Sequence, residues 1–146
     1  MDKEIKALTN IHFSSKSEEW ATPQYLFNML DMEFHFTLDP AATMLNAKTP
    51  RYYSKAQNGL LQDWSQERVF CNPPYGRVIK YWVEKMATCR AVVCVGLLPA
   101  RTDTIWFHEY ILGIAEIRLL KGRLKFGDAI NSAPFPSMIC IWRNKL

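Results

Sequence analysis

The sequence predicts a single-domain α/β fold with a mixed sheet and a C-terminal antiparallel hairpin, and three observations support this. Residues 91–98 form a continuous apolar run, which is typical of a strand covered on both faces. Residues 78–86 carry large apolar side chains at helical spacing. In the tail, the strand-like segments 115–120 and 123–126 are separated only by Lys121 and Gly122, which predicts a hairpin.

Length and composition suit one domain with an apolar core. The chain has 146 residues, of which 49% are hydrophobic. Residues 1–17 are polar and lack periodicity, so we expect a flexible N-terminal arm before a domain at 18–146. No apolar run approaches the roughly 18 residues needed to cross a membrane. The N-terminus also lacks the apolar core of a signal peptide, so nothing in the sequence indicates export.

Charge and cysteine content narrow the possible functions. The net charge of +4 permits a nucleic-acid partner without demonstrating one. The four cysteines are Cys71, Cys89, Cys94 and Cys140, and they include no C-x-x-C pair. We therefore expect buried, reduced thiols and no metal site.

The first predicted helix begins near residue 22. Thr22 is a candidate N-cap and Pro23 suits the first helical position, although the start of this helix could also contact a cofactor. Four apolar residues are expected on one face of this helix: Tyr25, Leu26, Met29 and Leu30. Residues 34–38 then alternate in polarity, which predicts a strand that ends before Asp39.

The remaining elements follow at regular intervals. Residues 43–60 are polar and predict a long loop, and residues 68–71 predict a short buried strand. A third helix is expected at about 103–111, and a last strand at 137–142.

The most informative stretch is residues 71–76, Cys-Asn-Pro-Pro-Tyr-Gly, at the predicted carboxyl end of a strand. Two prolines in succession make the loop stiff and leave its carbonyl groups free. The side-chain oxygen of Asn72 and the carbonyl of Pro73 can each accept one hydrogen of a planar NH2 group, and Tyr75 can stack on its ring. The alternative is a turn that only connects two elements.

Two acids are candidates for cofactor contacts. Asp39 could hold the ammonium group of a methionine moiety, or it could cap the following turn. Asp63 could accept a hydrogen bond from the exocyclic amine of a cofactor adenine, or it could be an ordinary surface acid.

The tail offers a possible contact with DNA. Its cationic cluster could protect an edge strand or contact phosphates, and it consists of Arg118, Lys121, Arg123 and Lys125. The loop at 127–136 brings Phe135 forward as a possible wall for a bound base.

Several strings of residues occur together, in this order, in one family of enzymes. They are residues 20–23, 36–42, 46–47, 50–52, 58–60, 63–64, 71–76, 97–103 and 122–126. On these strings, the chain resembles the small phage and prophage DNA N6-adenine methyltransferases of the Dam type over about residues 18–143. The Asn-Pro-Pro-Tyr motif alone is shared with protein-glutamine and rRNA guanine methyltransferases.

The resemblance implies a Rossmann-like methyltransferase fold that uses S-adenosylmethionine and methylates the N6 amine of adenine in double-stranded DNA after base flipping. It also implies an enzyme of phage or prophage origin that acts in the cytoplasm of a bacterial host, with a dimer possible. The alternatives are a methyltransferase acting on a protein glutamine or an RNA base, and a degenerate fold that only binds DNA.

The resemblance also assigns roles to individual positions. The catalytic residues it implies are Asn72, Pro73, Pro74 and Tyr75. The cofactor-binding residues it implies are Trp20, Thr22, Pro23, Asp39, Pro40, Ala41 and Asp63. The residues expected to contact DNA or the target base are Arg101, Arg123, Lys125 and Phe135.

Overall fold

The computed structural model describes residues 21–127, 129 and 131–143. The predicted arm at 1–17 and the cofactor contact predicted for Trp20 lie outside the described residues. The helices are α1 (Gln24–Phe34), α2 (Ile79–Thr88) and α3 (Ile105–Tyr110), with a 3₁₀ turn at Gly59–Leu61. The strands are β1 (Arg68–Cys71), β2 (Val93–Pro99), β3 (Glu116–Leu119) and β4 (Ser137–Arg143). Within the described ranges, no helix is both long enough and apolar enough to span a membrane.

The four strands form one mixed sheet in the order β1-β2-β4-β3. β1 runs parallel to β2, and β4 runs antiparallel to both β2 and β3. The predicted α/β class and mixed sheet are therefore confirmed. The predicted strands at 68–71, 91–98 and 137–142 correspond to β1, β2 and β4.

Apolar layers cover both faces of the sheet. On one face, Trp82 and Met86 of α2 and Trp106 of α3 pack against alternate strand residues such as Val69 and Cys94. The other face is covered by α1 and by apolar residues near the end of the chain, among them Leu26, Leu30, Leu124 and Phe126. All of β2 is buried, which explains its uninterrupted apolar sequence.

The strand predicted at 34–38 is not formed. Instead, α1 continues to Phe34 and ends at His35, whose backbone is left-handed (φ 54°) and whose N–H donates to the carbonyl of Asp31. Of the predicted strand, only Leu38 takes part in sheet-like pairing, through an isolated parallel bridge to Val69. The alternation of polarity arises because Phe34 and Phe36 both enter the core.

The start of α1 also differs from the prediction. Pro23 is the N-cap, without a side-chain capping hydrogen bond, so Thr22 is not the cap. Of the four residues predicted on one face, Leu26 and Leu30 are buried, whereas Tyr25 and Met29 are exposed. Phe27 and Phe34 complete the buried face of α1.

The hairpin predicted at 115–126 is wrong. β3 pairs with β4, and the described residues 123–126 form no strand. Leu124 and Phe126 alternate with exposed residues as a strand would, but they pack in the core layer beside α1. The segment is held by the N–H of Gly127, which donates to the carbonyl of Ala21. The antiparallel pair of the tail therefore has a long connection rather than a tight turn.

Gly59 allows two loops to come together close to Asp39. A Cβ atom at position 59 would lie 2.0 Å from the carbonyl oxygen of Pro40, which is backbone and cannot move aside cheaply. The carbonyl of Gly59 accepts a hydrogen bond from the buried indole of Trp64 (2.9 Å), and this indole stacks on Trp82. The close approach to Pro40 requires glycine at position 59.

We expect Gly59→Ala to lower the free energy of unfolding by about 1–3 kcal/mol, because the added methyl group forces Pro40 or the 3₁₀ turn to shift. Denaturant unfolding followed by circular dichroism measures this loss. Lys55→Ala, at an exposed position in the same loop, is the control and should change stability by less than about 0.5 kcal/mol. Equal denaturant midpoints for Gly59→Ala and the unaltered chain would contradict the close contact between Gly59 and Pro40.

Candidate active site

The Asn-Pro-Pro-Tyr segment begins one residue after β1, at the carboxyl end of the parallel pair β1–β2. Pro73 and Pro74 are buried, and Asn72 is half-buried. The side-chain amide of Asn72 donates a hydrogen bond to the hydroxyl oxygen of Thr22 (3.1 Å). This bond joins the loop to the start of α1, and it explains why Thr22 does not cap the helix.

Asp39 is buried at the end of the segment that bridges to β1. One carboxylate oxygen accepts a hydrogen bond from the N–H of Lys48 (3.0 Å), and the other accepts one from the N–H of Ala41 (3.5 Å). Burial raises the pKa of Asp39 to about 6, and the two backbone N–H groups offset this only in part. Asp39 thus caps the following turn, as one alternative held, and its carboxylate also lines the cavity described next.

A small, mainly polar cavity lies where these segments meet. Its lining residues are Ala21, Thr22, Asp39, Ala41, Asn46, Lys48 and Asn72. Four of the residues predicted from sequence therefore come together from distant parts of the chain: Thr22, Asp39, Ala41 and Asn72. Pro23 and Pro40 adjoin them in the chain.

Asn46 and Lys48 were missed as site residues. The side chain of Asn46 accepts a hydrogen bond from the N–H of Thr43 (2.7 Å), which closes a turn after Asp39. The ammonium group of Lys48 donates to the side-chain oxygen of Gln24 on α1 (2.8 Å). The signal for Asn46 was present, because Asn46-Ala47 is one of the strings in the resemblance.

Tyr75 is partly buried and packs against the core. Its hydroxyl donates to the carbonyl of Leu97 on β2 (3.2 Å), and its ring lies edge-on to Phe135 at a centroid distance of 5.5 Å. A second edge contact, to Phe126, has a centroid distance of 6.4 Å. Burial raises the pKa of the Tyr75 hydroxyl, so this group stays neutral. The contacts fix the orientation of the ring.

A larger cavity, of about 300 Å³, opens beside Tyr75. Apolar walls and two cationic side chains line it together: Tyr75, Gly76, Arg77, Ile79, Pro99, Arg101, Thr104 and Trp106. The guanidinium of Arg101 lies 5.8 Å from the ring centroid of Phe135. Arg101 and Phe135, both predicted to contact DNA, therefore lie close to Tyr75.

Six of the eight lining residues of this larger cavity were not predicted as site residues, among them Arg77, Thr104 and Trp106. Arg77 follows the motif directly, whereas Thr104 and Trp106 lie in the region predicted as the third helix. The hydroxyl of Thr104 caps α3 by accepting from the N–H of Phe107 (3.3 Å). Only the sheet topology shows that the start of α3 adjoins the motif.

Arg123 and Lys125 are exposed on either side of the buried Leu124. Their segment contains Phe126, which contacts Tyr75, so both cations belong to a strip of chain anchored beside the motif. In contrast, Arg118 forms a bidentate ion pair with Glu33, with two distances of 2.7 Å, so its charge is already paired.

The structure does not bring Asp63 to Asp39. Asp63 is exposed, and its carboxylate accepts a hydrogen bond from the N–H of Ser65 (2.8 Å). Hydrogen bonds to Ser65 lower the pKa of Asp63. It lines a third cavity, which shares none of its described lining residues with the cavity around Asn72. The cofactor role of Asp63 stays a prediction.

Comparison with known proteins gives one finding. The family model for DNA N-6-adenine-methyltransferase (Dam) matches residues 10–145, which is almost the whole chain. Among proteins of curated function, none matches.

Proposed function

The chain belongs to the DNA N-6-adenine-methyltransferase (Dam) family, and on this premise we propose that it transfers a methyl group from S-adenosylmethionine to the N6 amine of a flipped adenine in DNA. The observation that carries the proposal is the hydrogen bond between Asn72 and Thr22, with Asp39 in the same cavity. It joins the motif suited to an amine with the segments suited to a methionine-type cofactor.

The residues around the small cavity fit the charged end of S-adenosylmethionine. When bound, this cofactor supplies a methyl group on a positively charged sulfur. The buried carboxylate of Asp39 has a pKa raised by desolvation, so a neighbouring cation would stabilise its ionised form. We propose that Asp39 holds the ammonium group, while Thr22, Pro23, Pro40 and Ala41 line the approach.

The motif supports recognition of the target amine. The side-chain oxygen of Asn72 and the carbonyl of Pro73 can accept its two hydrogens, which aims the nitrogen lone pair away from the ring. No strong base is required, since the proton can leave to water after transfer. Pro73 and Pro74 are buried, which keeps the two acceptors in a fixed relation.

The cavity beside Tyr75 suits a nucleotide. Its apolar walls, including Ile79 and Trp106, could cover the faces of a base, while Arg77 and Arg101 could neutralise a phosphate. Extrusion of a base from the duplex costs a few kcal/mol, which contacts with Tyr75 and Asn72 would offset. Exposed Arg123 and Lys125 could extend the phosphate contacts.

We expect Arg101→Ala to weaken DNA binding. The slope of log affinity against log salt concentration should also become shallower, by the amount that corresponds to about one phosphate contact. The reason is that Arg101 is exposed and lies at the proposed nucleotide cavity. Fluorescence anisotropy of a labelled duplex across a salt series measures the effect. Arg90→Ala, at an exposed position two residues after the end of α2, is the matched control. Equal salt slopes for Arg101→Ala and the unaltered chain would remove Arg101 from the interface.

The proposed function is tested by offering DNA, RNA and protein side by side with S-adenosylmethionine that carries a labelled methyl group. Label in DNA is the expected result. Label in protein or RNA would keep the chemistry of the Asn72 loop and change the substrate. Absence of label from all three, with a folded protein, would favour a module that only binds DNA.

A further inference from the structure

An exposed apolar side chain lies at the edge of the cavity beside Tyr75. Ile105 is the first residue of α3 and is 75% exposed. Its two neighbours in the chain, Thr104 and Trp106, both line the cavity. Among the exposed large apolar residues in the parts of the chain that the structure describes, Ile105 alone lies between two residues that line this cavity. Packing in the core does not account for an isoleucine with so much exposed surface.

The backbone that carries Ile105 is well fixed on both sides. The hydroxyl of Thr104 donates a hydrogen bond to the carbonyl of Arg101 (2.8 Å) and accepts one from the N–H of Phe107. On the other side, Trp106 is buried in the core layer that covers the sheet. The side chain of isoleucine is itself stiff, because it branches at Cβ. Ile105 therefore extends into solvent as a rigid apolar group on a rigid support.

The charges around Ile105 indicate how DNA would approach it. Arg77 and Arg101 are exposed and line the cavity. Two exposed acids lie on the other side: Asp103 precedes Ile105 by two residues, and Glu109 follows it by one helical turn. Phosphates are attracted by the arginines and repelled by the acids. The cavity side is therefore the side that faces DNA, and Ile105 lies at its edge.

Extrusion of a base creates a need that an apolar side chain can meet. When an adenine leaves the duplex, the neighbouring base pairs lose a stacking partner, and the opposite base loses its pair. Proteins that distort DNA commonly insert an apolar side chain, such as isoleucine, between base steps. The inserted side chain fills the gap and makes the distorted duplex less unfavourable.

We propose that Ile105 is a wedge, which enters the duplex in place of the extruded adenine and so stabilises the extruded state. This inference rests on the proposed function, because the cavity beside Tyr75 must receive the adenine for the wedge to act. Ile105 takes no part in the transfer of the methyl group itself. Its effect is to increase the fraction of bound DNA in which the adenine has left the stack.

The first test is kcat/KM for methyl transfer to a duplex that contains one target adenine. Sequencing of a plasmid methylated by the unaltered chain, with detection of N6-methyladenine, locates such a target. We expect Ile105→Ala to lower kcat/KM roughly 10-fold, because part of the cost of unstacking is no longer offset. Ile105→Leu keeps an apolar group of the same volume and should retain most of the activity. Leu119→Ala, at an equally exposed position on β3, is the matched control and should be fully active.

The second test supplies the missing wedge from the DNA. The same duplex is prepared with a pyrene nucleotide opposite the target adenine, since pyrene fills the space of a base pair and excludes the adenine from the stack. On this duplex, Ile105→Ala should match the unaltered chain. Asn72→Ala should remain slow on both duplexes, because its defect lies in the methyl transfer. The salt dependence of DNA binding should be unchanged in Ile105→Ala, in contrast to Arg101→Ala, since isoleucine neutralises no phosphate.

A folding defect does not account for the expected result. Ile105 is exposed, and alanine favours helix more strongly than isoleucine does, so Ile105→Ala should be folded. Circular dichroism checks this, and activity on the pyrene duplex confirms that the active site is intact.

The wedge is overturned if Ile105→Ala and the unaltered chain methylate the ordinary duplex at equal rates. It is also overturned if the loss in Ile105→Ala is as large on the pyrene duplex as on the ordinary one. Failure of the proposed function gives a different result, because the unaltered chain would then methylate neither duplex, and the wedge would fall with it.

Discussion

Replacing Asn72 with alanine is expected to reduce methyl transfer to DNA by roughly 10²- to 10³-fold, the usual effect of removing one hydrogen-bonding group that acts in a transition state. The side-chain oxygen of Asn72 is one of the two proposed acceptors for the amine hydrogens. Without it, the nitrogen lone pair is no longer directed, and the pairing that offsets base extrusion is weakened. The measurement is kcat/KM for transfer of labelled methyl to duplex DNA.

Two comparisons make this result specific. Asn72→Asp keeps an acceptor oxygen at the same place, so we expect a smaller loss than with alanine. Asn72 is only half-buried, and both replacements fit within the volume of its side chain, so both variants should remain folded. Near-normal turnover of a folded Asn72→Ala protein would remove Asn72 from the catalytic role.

Tyr75 is less suitable for such a test. Its ring packs on Phe126 and Phe135 and its hydroxyl bonds to the carbonyl of Leu97. Truncation of a fully buried aromatic side chain to alanine costs about 3–5 kcal/mol, and the partly buried Tyr75 should lose a share of this. A loss of activity in Tyr75→Ala would therefore combine a catalytic defect with a structural one.

The second large effect is expected at Asp39. Asp39→Asn should weaken S-adenosylmethionine binding by about 10- to 100-fold, because it removes a buried charge-assisted hydrogen bond to the proposed ammonium group. Isothermal titration calorimetry measures the affinity. Asp63→Asn, measured in parallel, tests the separate role predicted for Asp63, since Asp63 lines a different cavity. Unchanged affinity in Asp39→Asn would contradict the cofactor assignment.

The pH dependence provides an independent test of the same residue. Since the pKa of Asp39 is raised to about 6, protonation competes with a cationic ligand below that pH. Affinity should therefore fall as pH falls through about 6, and this decline should be absent in Asp39→Asn.

The stability of the folded protein should depend on pH with the opposite sign to cofactor affinity. A carboxyl group whose pKa is raised on folding stabilises the folded state at low pH, and this contribution is lost as pH rises from about 3.8 to about 6. Ionised Asp39 therefore does not stabilise the ligand-free protein at neutral pH. Asp39→Asn should weaken binding at pH 7 without a matching loss of stability.

The features that sequence predicted best depend on neighbouring residues. The apolar run of β2, the strand β1 and the helical spacing of α2 are each determined within a few residues, and the structure confirms them. The proximity of Asp39 and Asn72 also follows from their positions at the ends of adjacent segments, which are linked by the bridge from Leu38 to Val69.

The features that sequence missed depend on contacts between distant residues. Thr22 has a side chain suited to capping, but its hydroxyl accepts from Asn72, fifty residues away. Leu124 and Phe126 have strand-like alternation, but β3 pairs with β4 instead. Asp63 directly precedes Trp64, which is buried against Trp82. The carboxylate of Asp63 therefore lies in a different cavity from that of Asn72 and Asp39. In each case a tertiary contact outweighs a local preference.

The central claim is methylation of adenine N6 in DNA, and nucleoside analysis tests it most directly. Duplex DNA is incubated with the protein and S-adenosylmethionine, digested to nucleosides, and analysed by mass spectrometry against standards. We predict N6-methyladenine with the unaltered chain and almost none with Asn72→Ala. Methyl groups on another base, or equal N6-methyladenine with both proteins, would contradict the account.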